Sequence, residues 1–252
     1  MTTIIGIKAY GGKDHAVVMT GDFQATLTRF EEGGEAIYKR QEKSPQPYQK
    51  LMVDKDRELV LAITGTVETP ATNRFIRLAL NPDEGESKID LKKKLASGYI
   101  PEFRAMNMGN CVFKNQYFEQ KNQCEAMIGT RFDNEPRLFF VYPMGKTNDG
   151  TRKDMPESFY LSKGSGSRYA MEFLDRELDK KGIGVKSINV NDAIELASQA
   201  LRESIGTDIY SSGMNLVVID PMEIHEFGEQ IRKASDDAVR KTINGIKNQF
   251  KE

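Results

Sequence analysis

Apolar and polar positions alternate from the start of the chain. Ile4, Ile5 and Ile7 fall in one β-branched run, Val17 and Val18 in a second, and Gly11-Gly12-Lys13-Asp14 separates the two. Two such runs around a glycine-rich turn predict a β-hairpin over residues 2–10 and 16–22. The same signal recurs at residues 48–53 and 58–65, which flank Asp54-Lys55-Asp56-Arg57 and predict a second hairpin. Between the hairpins, residues 29–47 are charged, broken by glycine and proline and only weakly periodic, which predicts a surface excursion between strands. After Gly65, Thr69-Pro70 opens a helix whose apolar positions are Phe75, Ile76, Leu78, Ala79 and Leu80. A second helix is predicted over 87–98, and residues 99–123 carry no pattern firm enough to place.

Strands are predicted again at 125–131, 137–142 and 159–162. Gly164-Ser165-Gly166-Ser167 then turns into a helix over 168–181. The helix predicted over 191–204 has Ala193, Ile194, Ala197, Ala200 and Leu201 on one face, small enough for close packing. A strand at 214–220 and a charged helix at 229–250 complete the chain. No linker or internal repeat divides this order, so the expectation is one domain over 1–252, an α+β fold of two sheets with helices outside them.

Composition narrows the function. Acidic and basic residues nearly cancel, 37 against 36, so no overall field draws nucleic acid or an anionic membrane. Apolar runs fall far short of the ~20 residues of a membrane span, and no basic-then-apolar leader begins the chain, so a cytoplasmic location is expected. Cys111 and Cys124 are the only cysteines and complete no metal set, so no metal is expected. Gly145-Lys146-Thr147 resembles the end of a phosphate loop, but Phe140 stands where that loop requires glycine. His15 and His225 are the only histidines, and neither has a nucleophile in a recognisable turn nearby. Chemistry without imidazole is therefore favoured.

Thr2 offers such chemistry. Once Met1 is removed, residue 2 carries both an α-amine and a β-hydroxyl. The amine, with an ordinary pKa near ~8, is a base for the hydroxyl beside it. Asp22 sits in apolar surroundings at the end of the first hairpin, reading equally as a turn residue or as a site carboxylate. Lys50 opens the next strand; an ammonium beside the N-terminal amine would lower that amine's hold on its proton. Gly65 ends a strand where free backbone N–H groups are available to an oxyanion. Thr2 alone is also readable as the start of an edge strand.

Taken in order, Thr2-Thr3-Ile4-Ile5-Gly6, Gly21-Asp22, Lys50-Leu51, Gly65, Gly164-Ser165-Gly166-Ser167 and Asp208-Ile209-Tyr210-Ser211 resemble the motifs of proteasome β subunits. The stretch from Gly21 to Leu27 is similar to the bacterial HslV-type threonine peptidase. The resemblance spans about residues 2–220 and implies a four-layer αββα sandwich of the N-terminal nucleophile hydrolase type. It implies a threonine endopeptidase with Thr2 as nucleophile, Asp22 and Lys50 setting its protonation, and the Gly65 N–H binding the oxyanion. Ser165, Asp208 and Ser211 would hold the amine and a water. The corresponding specificity pocket is Ala25, Tyr48, Met52, Ile63 and Val67, all suited to neutral or hydrophobic side chains.

No cofactor is implied. The implied partners are a peptide or unfolded protein substrate, like subunits in rings, and an α-type ring or an ATP-driven unfoldase; neither nucleic acid nor membrane is among them. Departures from the family pattern are the longer 29–47 excursion, a longer first hairpin and C-terminal helix, and Ser212 in place of glycine. Two other readings use the same residues: a ligase that passes the acyl-threonine to an amine, and an inactive ring subunit.

Overall fold

Alternation along the strands builds the architecture. In the computed structural model the described residues are 3–11, 15–23, 26–33, 36–43, 48–65, 70–80, 91, 94, 100–109, 113–114, 117–118, 124–132, 134–141, 147–148, 159–207, 213–227 and 236–250. In β1 (Thr3–Ala9), Ile5, Ile7 and Ala9 enter one apolar cluster, while Ile4 enters another on the opposite face. In β2 (Ala16–Gly21), Ala16 and Val18 share the first cluster, and Val17 and Met19 the second. Strands with both faces buried belong in the middle of a layered domain.

Two five-stranded antiparallel sheets result among the described residues. The first runs β12 (Tyr160–Gly164), β1, β2, β13 (Asn215–Ile219), β14 (Ile224–Glu226). The second runs β11 (Thr147–Asn148), β10 (Glu135–Val141), β9 (Cys124–Phe132), β6 (Leu59–Gly65), β5 (Leu51–Asp54). Both expected hairpins are present, with Ile4 opposite Gly21 in one and Leu51 opposite Ala62 in the other. Val60, Ala62, Met127 and Leu138 of the second sheet meet Ile4, Val17 and Met19 of the first. Glycines let the sheets approach: a Cβ on Gly6 would lie 2.6 Å from Leu138 Cδ1, and one on Gly129 would lie 3.1 Å from Val17 Cγ1.

Helices cover the outer faces. α1 (Pro70–Leu80) and α2 (Pro101–Gly109) bring Phe75 and Phe103 onto Leu59, Leu61 and Ile63 of β6. On the other side lie α3 (Ser167–Lys181), α4 (Val190–Thr207) and, against α4, α5 (Asp236–Gln249). The α4 alanines 193, 197 and 200 all lie in the cluster with Ile5 and Ile7, as close helix–sheet packing requires. The layers are thus helix, sheet, sheet, helix: an α+β αββα sandwich.

The structure departs from the sequence reading in places. Overlapping the expected surface excursion at 29–47, β3 (Thr26–Gly33) and β4 (Ala36–Lys43) form a hairpin, paired with no other strand among the described residues. The unassigned stretch 99–123 holds α2 and the short pair β7 (Phe113–Lys114) and β8 (Tyr117–Phe118). The helix expected over 87–98 lies outside the described residues except for Leu91, which is buried, and Lys94, which pairs with Glu102. The final helix is described from Asp236.

Candidate active site

The end of β1 where the chain begins meets the end of β2, and the two backbones lock there. Asp22 N–H donates to Thr3 C=O at 3.2 Å, and Thr3 N–H donates to Asp22 Oδ2 at 2.6 Å. The other carboxylate oxygen, Oδ1, accepts from the Lys50 ammonium. Asp22 is 0% exposed and Lys50 2%. An ion pair so deeply buried needs further hydrogen bonds on its charged groups to offset lost hydration. The Thr3 N–H supplies one of them.

Local structure brings Lys50 there. Tyr48 N–H donates to Phe23 C=O at 2.7 Å, docking the segment before β5 beside Asp22. Ile63 N–H donates to Lys50 C=O at 3.3 Å, tying the lysine to β6. Gly21 keeps the crossing open, since a Cβ there would lie 3.3 Å from Ile4 Cγ2. Gly213, with φ of 73°, lies where a Cβ would come 3.0 Å from Phe23 Cδ2, so the chain after α4 also reaches this corner.

Of the residues singled out from the sequence, Asp22 and Lys50 are in direct contact. Gly65 ends β6 two residues beyond Ile63, is exposed, and has φ of 97°, a conformation that favours glycine. Ser165 is exposed between Gly164, which pairs with Thr3, and Gly166, which touches it. Thr2, Asp208 and Ser211 lie outside the described residues, as do Ala25 and Val67 of the expected pocket. Tyr48 and Met52 are half-buried. Ile63 presents no surface to a substrate: the alternation of β6 turns it with Leu59 and Leu61 into the cluster beneath α1 and α2. Thr3, Gly166 and Ser204 meet at this corner too, and sequence reasoning did not foresee it; the glycine turn was the visible signal, but its contacts were not.

Both histidines sit at the other end of the first sheet. His15 precedes β2 and lies 3.9 Å from Glu135, and His225 bonds Asp220 at 2.8 Å while stacking on Phe227. Among the described residues no cluster of His, Cys, Asp and Glu could hold a metal ion, and no helix is long and apolar enough to cross a membrane. A cavity of about 650 Å³ lies elsewhere, over α4 and α5, lined by Ser198, Gln199, Arg202, Arg240 and Lys247 among others.

Known proteins give the same direction. The family model described as "Proteasome subunit" matches residues 101–219. A protein named "Proteasome subunit beta" from Nanoarchaeum equitans (strain Kin4-M) is 27% identical over 212 residues, covering 84% of this chain and 88% of the relative. Family match, relative and four-layer fold agree: they point to similarity with proteasome subunits of the β type.

Proposed function

We propose that this subunit is a threonine endopeptidase whose nucleophile is Thr2, freed by removal of Met1. One observation carries the reading: a fully buried carboxylate, Asp22, grips the N–H of Thr3 with one oxygen and the Lys50 ammonium with the other. Thr3, the residue that follows Thr2 in sequence, is thereby held beside a desolvated ion pair. With Met1 gone, the α-amine of Thr2 takes the hydroxyl proton as the oxygen attacks a peptide carbonyl. The tetrahedral oxyanion is met by the Gly65 N–H. As the C–N bond breaks, the ammonium returns a proton to the leaving amine, and an acyl ester remains on Thr2. Water, activated by the same amine and held with Ser165, Asp208 and Ser211, then cleaves the ester. While Met1 remains, the nitrogen of Thr2 is an amide and cannot serve as the base.

The same reading makes the chain a single domain working in the cytoplasm, in rings of like subunits with an α-type ring or an ATP-driven unfoldase upstream. Its substrates are unfolded polypeptides cut after neutral or hydrophobic residues, with Tyr48 and Met52 toward the pocket. The test is to treat the processed protein with an epoxyketone or β-lactone directed at N-terminal threonine and measure its mass. One adduct, located on Thr2 and absent from Thr2→Ala, is the expected result. No adduct on a protein whose mass shows Met1 gone would turn the reading to an inactive ring subunit. Peptide products joined to an added amine, in place of hydrolysed ones, would turn it to a ligase.

A further inference from the structure

Gly166 caps the N-terminus of α3 with φ of −90° and ψ of 2°, torsions open to residues other than glycine. Its missing side chain answers instead to its neighbours. A Cβ at Gly166 would lie 2.9 Å from Ser204 Cβ and would collide more closely still with Thr3 Oγ1. Thr3 is 0% exposed, and its Oγ1 has no hydrogen-bond partner among the described residues. Ser204 is equally buried, and its hydroxyl donates to Leu201 C=O at 2.7 Å within its own helix. At this point three elements meet in contact: the first residue of β1, the start of α3 and the last turns of α4. Meanwhile the Thr3 backbone is held on both polar groups by Asp22 and pairs with Gly164 across the sheet.

We propose that Thr3 is a positioning residue: its side chain, wedged between Gly166 and Ser204, fixes how far the first strand advances and so where Thr2 stands against Asp22 and Lys50. The inference rests on Thr2 being the nucleophile. The wedge acts through volume, because the hydroxyl has no partner among the described residues. Valine, which has the same shape, therefore serves in its place better than alanine does. Gly166 has the complementary role of leaving room for that volume.

The experiment measures two quantities on the processed protein: the maximal rate of β-lactone labelling and hydrogen–deuterium exchange over residues 3–9. Gly166→Ala is expected to slow maximal labelling about 100-fold, as displacement of a reacting group by about an ångström does, with little change in the half-saturating lactone concentration. Exchange over the strand rises at the same time. Adding Thr3→Ala to Gly166→Ala removes the closer collision and recovers part of the rate, so the two changes are strongly non-additive. On its own, Thr3→Val slows labelling less than Thr3→Ala; this pair decides the matter if Gly166→Ala does not fold. Labelling and exchange at wild-type levels in Gly166→Ala would overturn the wedge, as would Thr3→Val slower than Thr3→Ala. A wild-type protein that takes no lactone, yet whose strand exchange still responds to Gly166→Ala, sinks the nucleophile while supporting the wedge.

Discussion

Two lysines lie at opposite ends of β1, each only 2% exposed, one against a carboxylate and the other over aromatic rings. Near Thr3, the Lys50 ammonium meets the Asp22 carboxylate, which also holds the Thr3 N–H. At the far end, Lys8 lays its ammonium over rings, 4.9 Å from the centroid of Phe159 and 5.8 Å from that of Tyr10. Ring faces hold a cation through their quadrupoles. A buried ion pair is a weaker route to stability, since apolar residues of equal volume often do as well or better. The Asp22–Lys50 pair stands where the first residues of β1 must be placed, and that location supports a catalytic purpose beside a structural one.

Substitution should separate the two ends sharply. Lys50→Ala leaves a carboxylate buried without its cation and is expected to destabilise by about 3–5 kcal/mol, with peptidase turnover essentially lost. Lys8→Met should cost only about 1 kcal/mol and leave turnover near the wild-type level. Thermal unfolding and peptide hydrolysis measured on both variants check this. If Lys8→Met proves as damaging as Lys50→Ala, the contrast collapses. The double change Asp22→Leu and Lys50→Met sharpens it: stability should return most of the way toward wild type, and activity should not return at all. Recovery of activity would detach the ion pair from the chemistry.

A smaller effect is expected between the two ends, where the sheets touch. Gly129→Ala sets a methyl against Val17 and Met19 in a filled layer and should cost about 1–3 kcal/mol. Because Val17 and Met19 belong to the strand that ends in Asp22, the shift should also slow turnover. A loss of stability with unaltered turnover would show that the site tolerates sliding of the sheets, weakening the case for tight placement.

How much of this was legible beforehand depends on how far periodicity survives in each element. The strands β1, β2 and β6 were readable because β-branched residues fill them and turn residues bound them. α2 was not, although Pro101 and Glu102 mark its start. Its buried face carries Asn107, whose Oδ1 accepts the Cys124 N–H at 2.8 Å and whose Nδ2 donates to Phe103 C=O. A satisfied polar group inside the face interrupts the apolar count while fitting the core well. β3 and β4 were hidden by charge: Arg29 lies opposite Arg40 and Phe30 opposite Lys39, a composition that reads as loop. At the site, the candidate status of Asp22 and Lys50 could be read from residue type and position, but their contact could not. The meeting of Thr3 with Gly166 and Ser204 joins distant parts of the chain, and no local pattern encodes it.

A third lysine supplies the mild end of the series and carries a pH signature. Lys247 of α5 donates to Glu195 of α4 at 2.5 Å, with side-chain exposures of 24% and 34%. The hydrogen bond from Lys247 is the main cause holding the Glu195 carboxyl below its ordinary pKa, with partial burial opposing it. Because the folded form favours the carboxylate, the pair's contribution is fully present above the ordinary glutamate value near ~4.3. It is lost as pH falls through the lower folded value. Water screens the open side of the pair, so Lys247→Met should cost only about 0.5 kcal/mol at neutral pH. Melting curves of wild type and variant should converge only as the pH falls below the lowered folded value, where Glu195 is protonated in both. If the difference instead persists in acid, the lysine acts through its methylene packing on α4. Its contribution would then come from packing, and its comparison with Lys50 as a charge pair would have to be abandoned.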